Sequence, residues 1–243
     1  MVVAYGPDCP YDIDAPVMLH RREQLTFLHW SFDPPIVQRL LPDWMEVDTH
    51  EDRAWVGLVP FFMRVTTPSD RGVPWAASFC ETNVRTYVRD PDGRTGIWFF
   101  SLDAARFGAV AVARTLYRLP YFWSDMEVDV GPDAIRYDCR RRWPGPRGAV
   151  SRAELRLGAA FPPAELTERD HYLTARWTMF TSAGTQRRYA NAWHEPWVLH
   201  RAEVVELHDE LVAAAGLPGP TDAPIVHHSA GVKVRIGPRQ RYA

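Results

Sequence analysis

Phe79-Cys80-Glu81-Thr82-Asn83-Val84-Arg85-Thr86-Tyr87-Val88 changes character at every step. Side chains of an extended chain point alternately to opposite faces. Glu81, Asn83, Arg85 and Tyr87 therefore share one face, and Cys80, Thr82, Val84, Thr86 and Val88 the other. The stretch reads as a β-strand whose β-branched face suits a core. Its opposite face, an acid, an amide, a guanidinium and a phenol in a row, suits either a solvated sheet surface or the polar lining of a barrel. The next extended run, Gly96-Ile97-Trp98-Phe99-Phe100-Ser101-Leu102-Asp103, is apolar on both faces. Such a neighbour belongs inside, which favours the lining.

Working outward, Asp90-Pro91-Asp92-Gly93-Arg94 turns one of these strands into the other. Residues 45–49 and 54–64, joined by a turn at 50–53, form an earlier hairpin. The proline- and glycine-bearing stretch 66–78 is expected to loop over a pocket mouth. In the strand 24–32, His29 shares a face with Leu25, Phe27 and Ser31, while Trp30 lies on the other. A histidine among apolar neighbours is either a satisfied core residue or a proton carrier. Residues 33–42 carry the signals of a short helix, an Asp cap with prolines at both ends. Residues 1–18 read as an irregular, loosely held arm and 19–243 as one domain.

Downstream, Asp103 is a natural cap for an alanine-rich helix over 104–117. Strands are expected at 126–130, 134–142, 151–157, 173–181, 187–194 and 197–206, with a short helix at 165–170 and a longer one at 207–215. Arg140-Arg141-Arg142-Trp143, beside Pro144 and Pro146, reads as an exposed hairpin end. Residues 225–229 and 232–236 read as a tight pair around Ala230-Gly231. About ten strands and two substantial helices make a β-rich α+β fold, a large antiparallel sheet curled or closed into a barrel.

Composition excludes several partners. With 28 basic against 30 acidic residues, and arginines scattered among acids, there is no basic stripe for nucleic acid. No run is long and apolar enough to span a membrane, and the first residues lack a signal peptide's pattern. Cys9, Cys80 and Cys139 are odd in number and far apart, which fits a reducing cytoplasm rather than a disulfide framework or a zinc site. Ten Trp, nine Tyr and eleven Phe supply core packing, the walls of an apolar pocket, or both. HExxH, GxSxG, P-loop and GxGxxG motifs are absent. His227 and His228 are strand neighbours facing opposite sides, so no metal site is expected. Lys233 is the only lysine.

Leu28-His29-Trp30, Arg53-Ala54-Trp55-Val56-Gly57-Leu58-Val59-Pro60-Phe61, Glu81 to Val88, Trp98-Phe99-Phe100-Ser101-Leu102-Asp103, Leu119-Pro120-Tyr121-Phe122 and Gly231-Val232-Lys233-Val234-Arg235-Ile236 resemble the uncharacterised YqjF-like family, from about His20 onward. That family belongs to the acetoacetate-decarboxylase-like superfamily. The resemblance implies a conical antiparallel β-barrel with a few flanking helices and a ligand inside. The superfamily's namesake forms a Schiff base through a lysine whose pKa a second lysine lowers. Those lysines follow a proline after the helix, and the corresponding place here is Pro120-Tyr121-Phe122, where no amine stands. Lys233, alternating with Val232 and Val234, is no substitute. Glu81 resembles the superfamily's pocket glutamate.

The expected activity is therefore cofactor-free proton transfer, dehydration or cyclisation of a small carbonyl-bearing or aromatic metabolite, of lyase or isomerase type and suited to secondary metabolism. Glu81 would act as general acid or base, Arg85 would hold a carboxylate or enolate oxygen, and Tyr121 or His29 would pass a proton. Asn83, Tyr87, Trp30, Trp98, Phe100, Phe122 and His227 would contact the substrate. Two alternatives stay open: Glu81 and Arg85 form a buried ion pair that only specifies the barrel, or the barrel binds or senses a ligand without turnover. A homodimer through a sheet edge or helix face is compatible with either.

Overall fold

The computed structural model describes residues 5–67, 78–183 and 186–242. β1 (Met18–Phe32) is followed by α1 (Pro34–Gln38), two short bridges, β2 (Glu46–Val47) and β3 (Thr49–His50), and the long β4 (Arg53–Thr66). β5 (Ser78–Arg89) and β6 (Thr95–Ala104) come next. α2 (Phe107–Val112) runs into a π turn, Ala113–Tyr117. β7 (Tyr121–Val130), β8 (Ala134–Trp143) and β9 (Val150–Ala160) form a meander, and α3 (Glu168–Thr174) precedes β10 (Thr178–Ala183) and β11 (Gln186–His194). β12 (His200–Asp209), α4 (Leu211–Ala214), β13 (Ile225–Ile236) and β14 (Gln240–Arg241) complete the chain.

The pairings close on themselves twice. One ring runs β6-β7-β8-β9-β12-β13-β1-β4-β5 and back to β6, and the other runs β6-β10-β11-β13-β1-β4-β5 and back. β13, β1, β4, β5 and β6 are common to both, so they form a wall with a compartment on either side. This is why both faces of β5 are buried: Glu81, Asn83, Arg85 and Tyr87 on one side, Thr82, Val84, Thr86 and Val88 on the other. On the first face Tyr87 packs with Trp55, Tyr172 and Leu173; on the second, Val84 joins a core with Leu28, Leu58, Ile135 and Leu155, and Val88 one with Leu41, Met45 and Phe180. Each fully buried Leu or Phe of this wall, such as Leu25, Phe27, Leu28, Leu58 and Phe61, contributes about 1.5–3 kcal/mol. The rings close through short ladders. β12 meets β13 at the single pair His200↔His228, β6 meets β10 in parallel at two pairs, and β6 meets β7 in parallel at three.

Several local expectations are corrected. Asp103 does not cap a helix: it lies in β6, buried, and accepts from Arg141 Nε at 2.8 Å, Arg141 Nη2 at 2.6 Å and Ser124 Oγ at 2.7 Å. Helix begins only at Phe107, and the 104–117 reading shrinks to α2 and the π turn, which ends at left-handed Arg118. Arg141, placed by sequence at an exposed hairpin end, is 1% exposed, because its side chain turns inward to Asp103. Residues 207–209 extend β12, leaving α4 only at 211–214. Residues 173 and 174 end α3, where the expected strand had begun. Residues 225–236 form one continuous strand rather than a pair around Gly231. The expected pocket-mouth loop lies, over 68–77, outside the described residues. The arm before β1 is anchored where it is described: Tyr5 Oη donates to Asp48 Oδ2 at 2.5 Å, and Ile13 is buried. Among the described residues, no helix is long and apolar enough to cross a membrane.

Candidate active site

Two β-bulges decide which side chains face the inner compartment, the one enclosed by the ring through β10 and β11, the other being the outer one. In β1, Glu23 lies opposite Phe62 of β4 but Leu28 lies opposite Leu58, so β1 carries one extra residue between them. Gln24, with φ of 49°, takes the left-handed conformation that reverses the pleat. Leu25, Phe27 and His29 point inward after the bulge, and His20 and Arg22 point inward before it. Opposite the bulge, Gly231 has φ of 135° and approaches so closely that a Cβ there would lie 2.2 Å from the Arg22 carbonyl oxygen. In β6, Val84 pairs with Ser101 but Arg85 pairs with Phe99, leaving Phe100 as the extra residue. That slip turns Phe99 and Ile97 inward and Trp98 outward.

The result is a cavity of about 330 Å³ lined by Met63, Val65, Phe79, Phe99, Leu102, Ala109 and Met179, with polar groups from Glu81, Asn83, Tyr121, Arg22 and His20 at its inner end. Glu81 is 2% exposed. Tyr121, the first residue of β7, donates its hydroxyl to Glu81 Oε2 at 2.7 Å. Burial pushes the Glu81 carboxyl up to about 7, against the Tyr121 hydrogen bond, the Arg22 charge and the Asn83 amide, which pull it down. Tyr121 itself is held well above the ordinary phenol range by burial and by Glu81, so it stays a donor. Burial, followed by Arg22, lowers His20 to about 3, which keeps that imidazole neutral. Arg22 lies 5.7 Å from the Phe61 ring centre, and burial lowers its pKa, although Glu81 opposes this. Three buried atoms of lining residues, His20 Nδ1, Arg22 Nε and Asn83 Oδ1, have no protein partner. A site with a near-neutral carboxyl, a cation and unfilled hydrogen-bonding groups inside apolar walls is equipped to hold a small polar molecule and exchange protons with it.

Behind this end lies a second polar layer. Tyr87 Oη donates to the Leu173 carbonyl and is bonded to His29 Nε2 at 2.6 Å, so His29 carries its proton on Nε2. Burial, with Arg85 next, holds His29 well below the usual imidazole range. Gly57 makes room for this ring, since a Cβ there would lie 2.8 Å from His29 Nε2. Arg85 donates to the Leu173 carbonyl at 3.2 Å and sits 5.2 Å from the Phe27 ring centre. Among the described residues Glu81 and Arg85 form no ion pair, which removes the reading of them as a buried scaffold pair.

Of the residues singled out by sequence, the structure brings Glu81, Asn83 and Tyr121 together at the cavity. Arg85, Tyr87 and His29 stand behind it. The others lie elsewhere. Trp98 and Phe100 pack toward Leu41, Met45 and Phe180, and Phe122 lies under Arg141, 3.7 Å from ring centre to guanidinium. Trp30 donates to the Asp222 carbonyl at 3.0 Å, and His227 bonds Asp170 Oδ1 at 3.0 Å. Lys233 is exposed on β13, beside Arg21 of β1. Sequence reasoning missed Arg22 and His20, because strict alternation from His29 through Leu25 turns them outward. The available signal was Gly231 within an otherwise strand-like run, Ile225 to Ile236. Among the described residues, no three His, Cys, Asp or Glu side chains gather as a metal site.

Residues 20–233 match the family model DUF2071, described as an uncharacterised conserved protein. The chain is 32% identical over 228 residues to the uncharacterised protein YqjF of Bacillus subtilis (strain 168), covering 93% of each chain. In fold it is similar to an acetoacetate decarboxylase-like enzyme from Sphingomonas wittichii RW1, with TM-score 0.65, 12% identity and 94% of each chain covered. It is also similar to the enduracididine biosynthesis enzyme MppR complexed with pyruvate, with TM-score 0.64, 13% identity and 93% and 91% of the two chains covered. The acetoacetate decarboxylase of Legionella pneumophila superposes with TM-score 0.58 at 16% identity, covering 97% of this chain and 92% of that one. At these identities the likeness establishes a shared fold.

Proposed function

The chain belongs to the DUF2071 family of uncharacterised conserved proteins, and from that premise we propose that it is a cofactor-free enzyme acting by proton transfer on a small carbonyl-bearing acid. One observation carries the reading: a carboxyl with pKa of about 7, hydrogen-bonded by Tyr121, faces the same cavity as Arg22, whose Nε is buried without a partner. A base with pKa near the working pH is well matched to removing a proton next to a carbonyl. In the proposed step Glu81 takes the C–H proton, the C–H bonding pair forms the carbon–carbon double bond of an enolate while the carbonyl π pair moves onto oxygen, and the reverse shift takes the proton back from Glu81. Arg22 would stabilise the enolate or the substrate's carboxylate, the role that sequence had assigned to Arg85, and Asn83 would fix the substrate's orientation. Imine chemistry is not part of the proposal, since the sole lysine is exposed on β13. The fold it shares with MppR bound to pyruvate supports an oxo acid as the class to try first.

Deuterium uptake from D₂O into a panel of small 2-oxo and 3-oxo acids, followed by proton NMR, tests this. Wild type should exchange at least one acid, and Glu81→Gln should slow that exchange by about 10²–10⁴-fold while folding normally. Exchange by neither protein, with acids binding equally to both, overturns catalysis in favour of a binding or sensing role.

A further inference from the structure

The cavity that ends at buried Glu81 also reaches exposed Tyr117 and Arg239, so it opens past them. Arg239 is one of four arginines gathered there. Arg188 and Arg241 are cross-strand partners on β11 and β14, and Arg118 ends the π turn in the left-handed conformation. Arg188 lies within Coulomb range of the other three, and burial followed by Arg239, Arg241 and Arg118 lowers its pKa. Among the described residues none of the four has a carboxylate within ion-pair distance. Arg141, Arg142, Arg156 and Arg176, by contrast, are each paired with an acid. The patch is not the by-product of a basic chain, whose formal net charge is -2. Few of its donors are used. Arg239 Nη1 donates to the Leu116 carbonyl at 2.8 Å and Arg188 Nη2 to Gln186 Oε1, while Arg188 Nε has no protein partner.

Four guanidiniums that repel one another, with most of their N–H groups free, match an anion carrying two or more charges and several acceptor oxygens. A single carboxylate needs only one fork, and Arg22 already offers that inside. We propose that Arg118, Arg188, Arg239 and Arg241 form a rim that holds the phosphate or diphosphate group of the substrate, whose carbonyl end reaches Glu81. For the reactive end, this inference rests on the function proposed above.

Isothermal titration with inorganic diphosphate tests the rim directly. Wild type should bind it saturably, and Arg188→Ala combined with Arg239→Ala should weaken binding by about tenfold or more, the equivalent of losing one charge-assisted contact. Arg152→Ala combined with Arg156→Ala, which removes the same charge from exposed, acid-paired positions on β9, should leave binding within about twofold. No saturable binding by wild type, or an equal loss in both double variants, overturns the proposal. Proton exchange by wild type on unphosphorylated acids reports Glu81 separately. Exchange without diphosphate binding removes the rim and leaves the chemistry; diphosphate binding without exchange supports the rim and removes the chemistry.

Discussion

Glu81 holds a carboxyl where water is excluded, and the cost of charging it there sets its behaviour with pH. Its folded pKa of about 7 lies above the ordinary value of 4.5, so the native chain binds this proton more tightly than the unfolded chain does. The resulting stability is complete below the unfolded pKa and is lost as pH rises through about 7. Glu81→Gln should therefore exceed wild type in stability at pH 8, by up to about 3 kcal/mol, and match it near pH 4. Urea unfolding at the two pH values checks this; a gap independent of pH would mean that Glu81 is charged throughout. Any exchange activity should rise toward a plateau above pH 7, as the carboxylate form becomes dominant.

At the scale of the element, the site depends on backbone irregularities more than on the strands' composition. The bulge at Gln24 puts Arg22 on the same side as Glu81, and Gly231 lets β13 stay in register against it. Gly231→Ala would place a methyl group 2.2 Å from the Arg22 carbonyl oxygen in a backbone conformation that L-residues avoid. We expect a loss of about 3 kcal/mol on thermal or urea unfolding, together with loss of ligand binding at conditions where the variant is still folded. A neutral outcome would show that β13 can move away from the bulge without disturbing Arg22. The bulge at Phe100 has the opposite effect, withdrawing Trp98 from a surface it would otherwise line.

For the whole molecule, the central problem is joining two rings through one wall. β6 and β7 share only three parallel pairs. Asp103 of β6, Ser124 of β7 and Arg141 of β8 cross that seam with hydrogen bonds of 2.6–2.8 Å. Removing one partner leaves a buried charge uncompensated, so Asp103→Ala should cost about 3–5 kcal/mol, and adding Arg141→Met should recover most of it. A double-mutant cycle by urea unfolding measures the coupling, and additive losses would mean that the seam is held by packing alone. This pair lies in the outer compartment, on the face of β6 opposite the candidate site.

The alternation through Glu81 was enough to identify a strand and its neighbour Trp98 strand as buried, and motifs spread from Leu28 to Ile236 identified the family, because period-two chemistry and local motifs are carried by adjacent residues. That Glu81 and Asn83 share a face was legible for the same reason, and the family resemblance pointed to Tyr121, which lines the same cavity. Arg22 was not, since one left-handed residue at Gln24 inverts the facing of everything before it, and nothing in a list of side chains states that a pleat has reversed. Asp103 and Arg141 were misread because each matches a local surface role, a helix cap and an exposed turn, while their true partners are 38 positions apart. Sequence alone thus determined most of the strands and the acid on the face of β5. Which cation faces that acid, and which arginines ring the opening, were decided only by bulges and long-range pairing in the folded sheet.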